Sequence, residues 1–198
     1  MDFKKHLITA WNLILEFIVP LILMTLVMVV VSVVTIGILA PVTMAGYVQS
    51  LLLMVRDHRE PKIQDLFSEM GLFLPLFLFG IITGIATLIG FMLLTILGLL
   101  VVIALVFCCL YMLPLMTDKG LGIIEAIKES YEMAVRGNKG EHIVVAIIFF
   151  CISCIGSSFV LGFLFTQPLS TIFLLSVYDE KVRTAAPPLQ KKIPVQSK

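Results

Sequence analysis

Residues 71 to 116 read GLFLPLFLFGIITGIATLIGFMLLTILGLLVVIALVFCCLYMLPLM, 46 positions without an Asp, Glu, Lys, Arg, His, Asn or Gln. A single helix of that length would extend about 69 Å at about 1.5 Å per residue, more than twice a hydrocarbon layer of about 30 Å. The run must fold back on itself. Two helices of about 20 residues fit if the reversal falls near Gly98, where the backbone of the second half is most permissive. A buried hairpin in a water-soluble core is the competing explanation, but cores rarely hold so long a run with no polar face. A bilayer accommodates it directly, and this hairpin is expected to hold the structure together.

The rest of the chain agrees. Its 198 residues are 60% hydrophobic and 14% charged, with a mean hydropathy of +1.10, whereas soluble domains carry about 25% charge. That length gives one membrane domain, residues 1–183, and a polar, proline-bearing tail, residues 184–198, expected to be disordered. A net charge of +1 gives no reason to expect a nucleic-acid partner. The first apolar run is too long for a cleaved leader and lacks a small-residue cleavage site, so it is read as a retained anchor.

Outward from the central hairpin, residues 56 to 70 (RDHREPKIQDLFSEM) carry the first dense charge. Ile63, Leu66, Phe67 and Met70 fall at i, i+3, i+4 and i+7, which predicts an amphipathic surface helix over 63–70 anchored by Leu66 and Phe67. On the other side, LGIIEAIKESYEMAVR (121–136) predicts a second one, with Ile124, Ile127, Tyr131 and Val135 on the membrane side. Residues 1 to 16 read as an interfacial helix with Trp11 at headgroup depth. Two further uncharged runs, 17–55 and 143–178, are interrupted by Gly37 and Pro41 and by Gly162 and Pro168. The expected fold is thus all-α: six spans in three hairpins, at 17–37, 40–55, 71–96, 99–116, 143–162 and 164–178, plus the two surface helices.

Every Lys, Arg, Asp and Glu lies in 1–16, 56–69, 118–141 or 179–198. With six spans those segments share one side, and the three opposite turns carry no charge. The positive-inside rule places that side, with both termini, in the cytoplasm. Full crossing and re-entrance both remain open for the first and third hairpins, because 39 and 36 residues barely supply two passages. A weak internal echo, Gly37 to Pro41 against Gly162 to Pro168, suggests duplication.

At 114–138, PLMTDKGLGIIEAIKESYEMAVRGN, the chain resembles an uncharacterised prokaryotic family of six-helix membrane proteins, related to the membrane domain fused to some glycerophosphodiester phosphodiesterases. The matching residues are Asp118, Gly120, Glu125, Ala126 and Ser130, with a Gly-Asn stop, and the Gly162, Pro168, Tyr178 arrangement is similar to the family's end. A Pro-Gly turn usual in the central hairpin is missing. The resemblance implies a location in the cytoplasmic membrane of a prokaryote and no activity, since the phosphodiesterase domain is not in this chain.

Reactive groups are few. No intramembrane acid or base marks a proton path, and no HExxH marks a metalloprotease. Gly156-Ser157-Ser158 lacks a base, His142 being about 21 Å away along a helix. Cys151 and Cys154, at i and i+3, are weak metal candidates with Cys108 and Cys109, as are Asp57, His58 and Glu60; packing and solvation are the plainer explanations. Small residues at i+4, Gly80 with Gly84 and Cys154 with Ser158 and Gly162, permit close helix packing. No enzyme activity and no cofactor are expected. The leading expectation is a non-enzymatic scaffold or accessory subunit, whose partners are membrane lipids and either a second copy or another membrane protein. A small oligomeric transporter lined by Thr43, Tyr47, Gln49, Ser50, Gln167, Ser170 and Thr171 is the alternative, and binding of anionic lipid by the surface helices a second one.

Overall fold

A computed structural model describes residues 3–93, 95–136, 139–157 and 160–185, and all the regular structure among them is helical. The helices are α1 (Phe3–Glu16), α2 (Ile18–Val34), α3 (Ala40–Asp57), α4 (Phe73–Leu93), α5 (Thr95–Cys109), α6 (Met112–Lys119), α7 (Ile123–Arg136), α8 (Lys139–Ser157) and α9 (Val160–Ala185). Two helices are long and apolar enough to cross a membrane, within Ile63–Leu93 and Thr95–Lys119. The number rises to four if α1 with α2, bent by 89°, and Ile123–Val135 with Gly140–Cys154 each count as one span.

Proline chemistry sets several of the ends. Pro20 sits in the first turn of α2 and has no N–H for the carbonyl of Glu16, where α1 stops. Pro41 occupies the second position of α3, which it tolerates for the same reason. Between α2 and α3 the chain reverses through Ile36 and Gly37, both at positive φ. Ile36 is a β-branched residue that adopts this conformation at a cost, and its side chain is 90% exposed.

Three expected boundaries shift. Gly98, expected at the central reversal, lies inside α5, which begins at Thr95 after α4 ends at Leu93. Gly98 instead lies against Gly90: a Cβ on Gly90 would stand 3.1 Å from the Gly98 Cα, so the pair lets α4 and α5 nearly touch just inside their turn. The expected break between 162 and 164 is absent, and α9 runs unbroken through Gly162 and Pro168 to Ala185. The last helix therefore carries Asp179, Glu180, Lys181 and Arg183 in helical register, and the expected tail is helical at 184 and 185, the rest of it lying outside the described residues.

The third shift is the expected surface helix at 63–70, which is instead two 3-10 turns, Ile63–Phe67 and Met70–Leu72. Leu66 is buried against protein, not lipid. The physical reason is Gly46 of α3, where a Cβ would stand 2.4 Å from the Asp65 carbonyl oxygen and 2.5 Å from that of Leu66. Only a glycine lets the turn seat its backbone directly on the helix.

The core is built around α3 and α9. Tyr47, Leu51, Leu52 and Met54 of α3 are fully buried with Ile172, Phe173, Leu175 and Val177 of α9, Leu21 and Met24 of α2, and Leu115 of α6. α4 and α5 bury only Leu76 and Gly90 on one and Gly98 on the other. The central hairpin thus stands outside the core it was expected to organise. Gly46→Val should displace the Ile63–Phe67 turn and cost about 1–3 kcal/mol by overpacking, read as a lower thermal midpoint in detergent, while Gly71→Val, where added atoms meet nothing, should leave the midpoint within a degree or two of wild type.

Candidate functional site

The polar side chains converge at the ends of α3, α6 and α9. Arg56, in the last turn of α3, donates from Nε to Asp179 Oδ1 at 2.7 Å and from Nη2 to Asp118 Oδ2 at 2.8 Å, while Nη1 donates to Asp118 Oδ1. The fork on Asp118 is the bidentate arrangement that a guanidinium makes best. Tyr178 donates its hydroxyl to Asp118 Oδ2 at 3.0 Å, and Arg183 Nε meets Asp179 Oδ2 at 2.7 Å one turn along α9. Two guanidinium groups thus offset two carboxylates. The Arg56, Asp118 and Asp179 side chains are 25%, 14% and 11% exposed. The hydrogen bond to Asp118 pushes the Arg56 guanidinium further up against the opposing effect of burial, with Asp179 adding to it.

Other charged segments join the same end. His6 of α1 shares a 2.7 Å hydrogen bond between Nδ1 and Ser176 Oγ. Its Nε2 lies 2.9 Å from Glu180 Oε2, within ion-pair distance but off the line of a hydrogen bond. Lys119 pairs with Glu129 of α7. All three polar stretches beyond α1 meet at Arg56, Asp118 and Asp179, and α1 reaches them through Glu180.

A second cluster adjoins this one. The chain breaks between α5 and α6, and the Tyr111 N–H at the break donates to Ser130 Oγ of α7 at 3.2 Å. The Tyr111 ring lies 6.2 Å from that of Tyr178 and 5.5 Å from His142, with Lys181 Nζ 5.0 Å above its centroid. His142 Nε2 is 3.2 Å from the Phe107 carbonyl oxygen, which only accepts, so Nε2 carries the proton. Burial lowers the Lys181 ammonium below its ordinary value, partly offset by Glu141.

The Ile63–Phe67 turn is held by one carboxylate. Asp65 Oδ2 accepts from Ser50 Oγ at 2.7 Å, from Arg59 Nη2 and from the Lys62 N–H at 3.2 Å. Burial alone would raise the Asp65 carboxyl, but these three donors hold it below the usual range.

The expected lining residues are distributed along α3 and α9, which lie side by side. Gln167 Nε2 is 3.8 Å from Met44 Sδ, and both this contact and that of Arg56 with Asp179 join residues 123 apart in sequence. The two helices are therefore parallel and in constant register over about 18 Å. Thr43 donates to the Leu39 carbonyl, and Ser170 and Thr171 to that of Gln167. Thr25 donates to the Leu21 carbonyl, so the 3.1 Å contact of Tyr47 with Thr25 has Tyr47 as donor. Ser50 is spent on Asp65, and Gln49 Oε1 is buried with no hydrogen-bond partner. Most of these hydroxyls thus serve their own helix or a neighbour.

The other candidates separate. Among the described residues, no group of three or more His, Cys, Asp or Glu side chains is placed to hold a metal. Cys108 and Cys109 are half-buried on α5, Cys151 and Cys154 exposed on α8, and the four are not joined in disulfides. A Cβ on Gly80 or Gly84 would meet nothing within 4 Å, so among the described residues no helix packs on that face. Ser158 lies outside the described residues, and Gly162 lies within α9. Trp11 packs edge-on against Phe165 at 5.8 Å, so α1 leans on α9.

On α7 the docking face is not the large apolar stripe. At about 100° per residue, Ala126, Ser130 and Ala134 cover one arc and are fully buried. Ile124, Ile127, Tyr131 and Val135 cover the next arc; Ile124 is 70% exposed and Tyr131 stands edge-on to Phe107. Glu125, Lys128 and Glu132 occupy the third. Small residues thus meet the bundle, large apolar ones flank it, and charges point away.

Sequence reasoning missed Arg56, Asp179, Tyr178, Tyr111 and His142 as one assembly. The available signal was Asp118, read only as part of the family resemblance. Comparison with protein-family models, curated proteins and solved structures finds no match to this chain.

Asp118→Ala should cost about 2 kcal/mol, in the range for losing hydrogen bonds to a charged group, and Arg56→Ala on top of it should add much less than Arg56→Ala alone, read by thermal denaturation of the four-variant cycle. For Asp65, whose folded value is depressed, the stabilisation is complete above its ordinary value of 3.8 and fades as pH falls through the lower folded value. The stability gap between wild type and Asp65→Asn should therefore be constant from pH 7 to 5 and close below pH 4.

Proposed function

We propose that this chain is an integral protein of a prokaryotic cytoplasmic membrane, crossing six times through α2, α3, α4, α5, α8 and α9, and acting without catalysis as a scaffold or accessory subunit. The observation that carries the proposal is the junction of the four charged segments at one end of the bundle, combined with an uncharged hairpin that the rest of the chain leaves uncovered. Charge gathered at one end is what three hairpins inserted from one side would produce, and the positive-inside rule makes that end cytosolic. Kinship with the six-helix family belongs to the same proposal. Its matching residues have structural work here: Asp118 receives Arg56, Gly120 ends α6 at positive φ, and Ala126 and Ser130 seat α7.

The α4–α5 hairpin supplies the assembly surface. Gly80, Thr83, Gly84 and Thr87 form a narrow stripe, and Thr83 and Thr87 donate to the carbonyls of Phe79 and Thr83, so their polar groups are already satisfied. In lipid, such a face favours close approach of another helix. Native membranes solubilised in mild detergent should show the wild-type chain in a complex larger than its monomer, and Gly80→Ile with Gly84→Ile should shift it to the monomer position. A monomeric wild type overturns the scaffold reading. Separately, cysteines introduced at 60, 128 and 185 in a background free of the four native thiols should resist labelling from outside intact cells.

A further inference from the structure

We infer that the cleft between α2, α3 and α9 seats one acyl chain of a phospholipid from the leaflet opposite the charged end. The cleft has a volume of about 820 Å³, within the range of ligand sites, and its walls include Leu26, Val29 and Val33 of α2, Met44 of α3, and Phe163 and Leu164 of α9. Two polar side chains reach it: Ser32, which donates to the Met28 carbonyl at 2.8 Å, and Gln167, whose Nε2 faces the Met44 sulfur.

Depth decides the leaflet. Met44 lies 12 residues before Arg56 and Gln167 12 residues before Asp179, so the inner end of the cleft stands about 18 Å from the charged end and Ala40 about 24 Å. This rests on the reading proposed above, in which α3 and α9 cross the bilayer: in a hydrocarbon layer of about 30 Å the cleft then lies in the far half, and the Gly37 turn at its mouth approaches the far interface.

The chemistry of the walls decides the occupant. Apolar cavities do not hold water, and an extended peptide would bring more backbone groups than the single Gln167 carboxamide could pair. A helix about 10 Å across would fit for only about 10 Å of its length in this volume. A hydrocarbon chain needs no partner and has direct access, because the wall residue Val33 continues into Val30, Val34 and Ile36, all exposed on the outer surface of α2.

The experiment places a reporter in the cleft, Phe163→Trp with Trp11→Phe, Trp11 being the chain's one tryptophan, and titrates the detergent-solubilised protein with a phosphatidylcholine brominated on one acyl chain. Quenching should saturate near one lipid per protein and fall at least threefold when Ala40→Phe fills the cleft, with the helical circular dichroism unchanged. Ser32→Phe serves as the second occluding variant if Ala40→Phe does not fold. Quenching that rises without saturation, or that neither occluding variant reduces, overturns the site. Saturation by brominated stearic acid alone, with the phospholipid inert, overturns the assignment to a phospholipid.

Discussion

One guanidinium sets the relative positions of three helices. Arg56 leaves the end of α3 and must satisfy Asp118 on α6 and Asp179 on α9 at once; with Tyr178 completing Asp118, the group has little latitude for sliding. A charge that is mostly withdrawn from water is costly unless it is paired and hydrogen-bonded, and here each of the three guanidinium nitrogens donates to a carboxylate. The register of α3 against α9 follows, extending without slippage to Met44 and Gln167. Apolar packing between Leu51, Leu52, Phe173 and Leu175 supplies cohesion but no fixed register, since greasy surfaces tolerate small shifts.

That junction divides the molecule into a packed part and a presented part. α3, α7 and α9 are packed, and small residues permit the close contacts: Gly46 of α3 under the Asp65 carbonyl, and Ala126, Ser130 and Ala134 on the inner face of α7. The long central hairpin is presented. Its Leu, Ile and Phe side chains are equally content against lipid or against protein, so no hydrophobic force draws it onto the bundle in a membrane.

The helical class was legible from residues 71–116 and the two other uncharged runs, because a long stretch without polar side chains satisfies its backbone most simply as helix. The single polarity of the ends was also legible, from the confinement of charge to four segments. One expectation failed for a tertiary reason. The helix expected at 63–70 was read from apolar periodicity, which identifies a face but not what covers it, and there a glycine 17 or more residues earlier in sequence decided the matter.

By itself, then, the sequence determined that the chain is helical, apolar enough for a membrane, and charged in only four places; these follow from composition and spacing, which act locally. Tertiary structure decided the rest. That Arg56 is shared between Asp118 and Asp179, that Pro168 lies inside one continuous helix, that Gly98 is a contact rather than a turn, and that α2, α3 and α9 leave a cleft all depend on which helices become neighbours. Neighbourhood is set by the mutual fit of side chains 60 to 123 positions apart, for which no local pattern in the chain carries a signal.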